Sequence, residues 1–292
     1  VPNHLSGKKK ARFWKSTLIG AKVELREAVH LAWRPFVGGL SADMLAQQVV
    51  PELVRMLRRS PEVSAHNVAC IVELLVPERK HECQPLLLAD LITLLSSSRD
   101  NVRAAGVRLC TTLAKTARED RGKELLTAII SSLTSGQAGK EVQARLSVAS
   151  AAASCVETLP ADVFVEISPA VVTSLVTSGT AESNFDSKAE LLRALGACFG
   201  RGAQFTDAAA GLIGGLIRDD AKPAQLRLSA IAALARVWDD EGRAVPSAEA
   251  LVLSLVKLAA TASAVSAQQP FVLPLLYAAL KASRSHPAVL AA

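Results

Sequence analysis

The residues best suited to meeting a partner are basic, and they come in groups. The segment "KKKARFWK" sets Lys8, Lys9, Lys10, Arg12 and Lys15 around Phe13 and Trp14. Lysine and arginine neutralise phosphates, and an exposed Trp14 would stack on an unpaired base. The competing reading is a solvated helix start whose two aromatics anchor the first helices to the core. A second group, Arg55, Arg58 and Arg59, spans one helix end, where arginine also complements the negative end of the helix dipole. Arg99, Arg103 and Arg108 form a third. The groups recur near positions 58, 79 and 99, the spacing of successive inter-helix turns. Stacked turns would align them as a stripe that binds a phosphate backbone with little sequence specificity and strong salt dependence.

The rest of the chain offers little for catalysis. It has no G-x-x-x-x-G-K-[ST], no strand-linked G-x-G-x-x-G, no H-E-x-x-H and no G-x-S-x-G. "HEC" at 81–83 supplies two possible ligands without a second cluster, short of the four a structural zinc needs. His4, His30, His66 and His286 are scattered. The pairs Asp219–Asp220 and Asp239–Asp240 read as turn residues. Cys70, Cys83, Cys110, Cys155 and Cys198 are odd in number, well separated and set in apolar helical stretches, which suits reduced, buried thiols better than disulfides. No enzyme activity, cofactor, metal or small-molecule substrate is expected.

Composition then says what must position the basic groups. Half of the 292 residues are hydrophobic but only 4% are aromatic, so small aliphatics dominate and closely packed helices are favoured over a β-sandwich. The charge is lopsided: residues 1–120 hold 18 Lys and Arg against 12 Asp and Glu, and residues 121–292 hold 15 against 15. The entire excess of +6 therefore lies in the first part, as expected of a surface that meets nucleic acid or an acidic partner. Residues 258–280 lack charge over a length that would span a bilayer, but Gln268, Gln269, Pro270 and Pro274 interrupt them, so they read as two helices and a turn. Gly211 and Gly215, four apart in "GLIGGL", read as a place where two helices approach rather than a membrane dimer face.

A repeat runs through the chain. "VSAHNVAC" at Val63, "VRAAGVRL" at Val102, "VQARLSVA" at Val142, "SKAELLRA" at Ser187, "AQLRLSAI" at Ala224 and "AQQPFVLP" at Ala267 are separated by 39, 40, 45, 37 and 43 residues, close to the HEAT and armadillo period. Each unit reads as two helices. In the clearest, a first helix opens near Pro85, "SSRDN" turns, and Asp100 caps a second helix with Val102, Ala105, Leu109 and Leu113 facing inward. Ser60 is expected to cap with Pro61 at the first helical position, and Ser187 with Glu190 to form a capping box. The expected fold is all-α: residues 1–292 as a single α-solenoid, a superhelix of about six to seven HEAT-like helix pairs. With no initiator Met and an unfinished helix at Pro287, both ends look cut from a longer array.

"RDNVRAAGVRLCTTLA" resembles the HEAT pattern, with Asp100, Val102 and Arg103 at its diagnostic positions and Arg103 placed for an internal ladder. Gln143 and Lys188 fall where that alignment wants Arg, making those units degenerate. Over residues 41–160, "VVPELVRMLRRSPEVSAHNVACIVELL", "ADLITLLSSSRDNVRAAGVRLCTTLAKTA" and "LLTAIISSLTSGQAGKEVQARLSVASAAAS" resemble the amino-terminal HEAT array of the general-control translational activators. The stretch "LRRSPE" is the most telling. That resemblance implies a cytoplasmic, non-catalytic scaffold that binds stalled or collided ribosomes and supports the amino-acid-starvation initiation-factor kinase. It also implies a piece without that family's elongation-factor-like region or its kinase-receiving stretch. The implied partners are the ribosome, ribosomal RNA and other proteins, with no membrane. The alternative is a tubulin-binding or karyopherin-like scaffold; a regulatory subunit of a phosphatase or kinase complex is equally compatible with the repeats.

Overall fold

The structure is a computed structural model that describes residues 41–136, 141–239, 245–262 and 269–285, together with Pro35 and Gly39. Among the described residues the regular elements are all helical. A short helix, Ala42–Met44, and a π-turn, Leu45–Val49, lead into α1 (Val50–Arg59). Then come α2 (Pro61–Leu74), α3 (Pro77–Leu95), α4 (Asp100–Ala114), α5 (Glu119–Thr134) and α6 (Val142–Thr158). The series goes on with α7 (Ala161–Ala181), α8 (Phe185–Gly200), α9 (Asp207–Arg218) and α10 (Ala224–Ala235), the last extended by a 3-10 turn, Arg236–Trp238. Last are α11 (Pro246–Ala262) and α12 (Gln269–Ser285).

Odd-numbered helices form one layer and even-numbered helices the other. Each odd helix packs on the even helix that follows it, and each even helix packs on the even helices before and after it. This is the α-solenoid of HEAT-like pairs that the repeat predicts. The even layer explains the composition. An even helix is flanked by two even neighbours and its own odd partner, so most of its circumference is buried. In α6, between α4 and α8, Ala144, Val148, Ala149, Ala151, Ala152, Ala153, Cys155 and Val156 are all buried; bulkier side chains would force the layer apart.

Start signals act where sequence and geometry agree. Pro61 and Pro77 occupy the first helical positions of α2 and α3, where a missing N–H costs nothing. Asn184 caps α8 by accepting from Ser187 N at 2.9 Å, and Thr206 caps α9 by accepting from Ala209 N at 3.2 Å.

Several expected details are corrected. The helix expected to open near Pro85 already begins at Pro77, with Pro85 inside it on the exposed face. Asp100 is the first residue of α4 rather than its cap; its carboxylate is drawn to Arg103 instead of the backbone. Ser60 is at the cap position of α2 but its side chain makes no cap bond. Ser187 is a buried residue of the first turn of α8, capped by Asn184, so no capping box forms, and Glu190 pairs with Arg193. A Cβ on Gly211 or Gly215 would meet open space; the close approach is at Gly214, where a Cβ would come 2.8 Å from Leu251 Cδ1. Residues 258–262 end α11 and residues 269–280 belong to α12, so two helices are present as expected, but Gln269, Pro270 and Pro274, read as the interruption, lie inside α12, and Gln268 lies outside the described residues. Among the described residues, α7 alone is long and apolar enough to cross a membrane, and its apolar side, including Phe164, Ile167, Val171 and Leu175, is buried within the array.

Candidate functional site

The fourth residue of each even helix does the same work in most pairs. In α4, Arg103 Nη1 donates to Ser97 O at 2.8 Å, closing the C-terminal end of α3. In α6, Arg145 Nη1 donates to Leu133 O at 3.4 Å, in α5. In α10, Arg227 Nε donates to Ile217 O at 3.0 Å, in α9. In α2 the fourth residue is Ser64, whose hydroxyl donates to Met56 O of α1 at 2.9 Å. In α8 it is Lys188, whose ammonium burial pushes down in pKa. A helix end leaves carbonyls without donors, and a long cation on the antiparallel neighbour both satisfies one and complements the dipole.

This register corrects the sequence alignment. Arg103 corresponds to Arg145 rather than to Gln143, so that unit keeps the arginine that the shorter offset seemed to deny it, while Lys188 stays where it was read, with lysine in place of arginine. Arg103 and Arg227 are buried, which makes them structural and removes Arg103 from any exposed stripe. The ladder also reaches between pairs: Arg145 is bonded to Glu182 in the following turn, and the Arg227 guanidinium lies 4.1 Å from the Phe271 ring centroid on α12.

Of the remaining basic candidates, Arg58, Arg59 and Arg99 fall on the edge where odd helices turn into even ones, with Arg55 one turn back on α1. Arg55 is exposed and chelated by Glu52, with Nε to Oε2 at 2.8 Å, which raises its pKa. Arg58 reaches the C-terminal half of α3 and holds Asp90 with both nitrogens, at 2.8 and 3.2 Å, and the carboxylate raises its pKa in the same way. Its side chain is still 67% exposed, against 9% for Asp90. Arg59 and Arg99 are exposed, and among the described residues neither has an acidic partner. The structure thus brings the second and third groups to adjacent turns but leaves only two of their arginines without acidic partners. Arg108 is spent on Glu73 across α2 and α4. Arg79, near the middle of the expected stripe, is in the first turn of α3 on the opposite edge and pairs with Glu82 at 2.7 Å. Lys8, Lys9, Lys10, Arg12 and Lys15, with Trp14 and Trp33, lie outside the described residues.

Beneath Arg58 is a feature that sequence reasoning missed. A cleft of about 820 Å³ runs between the C-terminal ends of α1 and α3, lined by Leu57, Pro61, Ala89, Ile92, Thr93 and Ser97 among others. No sequence signal marks it, because it arises from the gap between two helices of one layer and not from either alone.

Other candidates resolve into structure. All five cysteines are free and buried, and burial pushes the thiols of Cys83, Cys110 and Cys198 up to about 12. Among the described residues, no three His, Cys, Asp or Glu side chains gather as metal ligands would. Asp219 closes its own turn by accepting from Ala221 N at 3.0 Å, and Asp220 pairs with Arg227. Trp238, the tryptophan nearest a turn, is 4% exposed and offers no loop aromatic to a partner.

Residues 9–141 match the family described as "Stalled ribosome sensor GCN1 N-terminal". The resemblance read over residues 41–160 is shown there, with the boundary moved: the match reaches back into the lysine-rich segment, Lys8 excepted, and stops before α6. It contains Arg55, Arg58, Arg59 and Arg99, with the cleft between α1 and α3. No curated protein matches the chain. Among solved structures, the crystal structure of one engineered protein is similar at 14% identity, covering 96% of this chain and 69% of that one with a TM-score of 0.51. A second engineered protein is 16% identical, covering 83% and 97% at a TM-score of 0.49. A designed armadillo repeat protein in complex with the peptide (KR)4 is 12% identical, covering 78% and 98% at 0.41. The first supports the fold; none speaks to function.

Proposed function

We propose, from the match of residues 9–141 to the amino-terminal region of the stalled-ribosome sensors, that this chain is a non-catalytic scaffold of translational control in the cytoplasm. It binds stalled or collided ribosomes and supports activation of the amino-acid-starvation initiation-factor kinase without itself receiving that kinase. The single observation that carries the reading is that match, which coincides with the part of the chain holding the whole excess of positive charge.

The contact is assigned to the first two helix pairs, through Arg59 and Arg99 on their shared edge, and to the lysine-rich segment Lys8–Lys15 ahead of them. Arg55 and Arg58 contribute field but are already chelated. A surface of this kind binds in proportion to the charge it neutralises and weakens as salt rises.

The test is co-sedimentation of the chain with purified ribosomes over a salt series. Pelleting at low salt, weakened by the double substitution Arg59→Glu and Arg99→Glu, is the expected result. Failure of the wild-type chain to pellet at low salt would overturn the ribosome reading, and pelleting indifferent to the two reversals would overturn this edge as the contact.

A further inference from the structure

The cleft between α1 and α3 combines features that single out one kind of occupant. Its walls are mainly aliphatic, from Leu57, Pro61, Ala89 and Ile92. Among the described residues no aromatic side chain lines it, so they offer no stacking platform of the kind by which single-stranded RNA is held. Two of its hydroxyls bond to the backbone: Thr93 Oγ1 donates to Ala89 O at 3.1 Å, and Ser97 Oγ accepts from Arg99 N at 3.3 Å. An aliphatic lining of this kind receives aliphatic side chains, which RNA does not carry.

Charge then fixes the sign of the occupant. Asp90 is the acid within the cleft, and the forked bond from Arg58 neutralises it while leaving that guanidinium largely exposed. Arg59 and Arg99, without acidic partners among the described residues, stand on the turns that bound the cleft. An apolar cleft lined by the largely exposed Arg58, with Arg59 beside it and Arg99 on the turn after Ser97, complements a chain that alternates apolar and acidic side chains.

We infer that this cleft is a docking groove for an acidic, extended segment of a partner protein. The segment inserts aliphatic side chains between α1 and α3 and places carboxylates against Arg58, Arg59 and Arg99. The inference rests on the ribosome reading only for the biological setting of the edge, since the groove itself comes from geometry.

The experiment uses the whole chain and three fluorescein-labelled probes: an octapeptide alternating Asp with Leu, one alternating Lys with Leu, and octauridylate. Fluorescence anisotropy is measured for the wild type, for Ala89→Trp, which fills the groove from an exposed position, and for Arg59→Glu with Arg99→Glu. The acidic peptide is expected to bind best and to lose about tenfold in affinity with either variant, while circular dichroism stays that of the wild type. Absence of acidic-peptide binding, or binding that Ala89→Trp leaves unchanged, overturns the groove. Tighter binding of octauridylate that Ala89→Trp abolishes also overturns it, in favour of RNA. Ribosome pelleting of the wild type and Ala89→Trp keeps the two readings apart. Pelleting with no acidic-peptide binding sinks the groove alone, and acidic-peptide binding with no pelleting sinks the ribosome reading alone.

Discussion

Arg145 on α6 donates through Nε and Nη2 to one oxygen of Glu182, at 2.9 and 2.7 Å, and the Glu182 side chain is only 1% exposed. The same carboxylate accepts from Asn184 N at 2.9 Å with its other oxygen. One buried acid thus ties α6 to the turn that opens α8, across the boundary between two helix pairs. Removing one member of a buried pair leaves the other charge uncompensated, a cost of about 3–5 kcal/mol. Arg145→Ala is therefore expected to lower unfolding stability by about 3 kcal/mol in a urea titration, with Glu182→Gln in the same background recovering part of the loss. Equal stability of wild type and Arg145→Ala would show that the pair is idle.

The glycines give a prediction of opposite signs. A Cβ on Gly196 of α8 would sit 3.0 Å from the Ala233 Cα of α10, a backbone atom that moves only if the helices separate. Gly196→Ala is expected to destabilise by about 1–3 kcal/mol despite the better helix propensity of alanine. Gly211→Ala and Gly215→Ala meet nothing within 4 Å and should each stabilise by about 0.5–1 kcal/mol. Thermal melts of the three variants check the ordering.

His81, in the second turn of α3, supplies a pH dependence. Burial is the main cause that lowers its pKa and Arg118, just before α5, lowers it further; Asp120 and Glu78 oppose this, and Arg121 adds the smallest lowering. The unfolded state then binds the proton more readily than the folded one. Stability present above the ordinary histidine pKa of about 6.5 is lost as pH falls from there toward the folded value. Melting temperatures of wild type and His81→Gln at about pH 7.5 and 5.5 should show a smaller acid-side drop in the variant. A drop of the same size would assign the sensitivity elsewhere.

The two arginines on α1 separate structure from contact. Arg58→Ala leaves Asp90 without its cation and should cost measurable stability, whereas Arg59→Ala should fall within about 0.5 kcal/mol of wild type. Parallel urea titrations decide this, and equal losses would contradict the roles assigned to the pair.

Much of the architecture is legible in the residue order because each unit repeats local signals. Val102, Ala105, Leu109 and Leu113, spaced as one helix face, are all buried, and Pro61 opens its helix as read. The caps were misread where two polar groups compete. Asp100 is drawn to Arg103, and Ser187 is displaced by Asn184, a better-placed acceptor one turn earlier. The family resemblance, which residues 9–141 match, and the all-helical character of the described residues were readable from "LRRSPE" and "RDNVRAAGVRL", since both rest on short contiguous stretches.

What residue order determined, then, is everything governed by neighbours within about a turn: helical periodicity, the pairing of helices, the small-residue composition of the inner layer and the lopsided charge. Tertiary structure alone decided which arginines are available. Arg58, Arg103, Arg108 and Arg145 look alike as letters, yet their partners Asp90, Asp100, Glu73 and Glu182 include residues more than thirty positions away. The groove between α1 and α3 belongs to the same class, because a gap between stacked helices depends on how whole units settle together and has no local code.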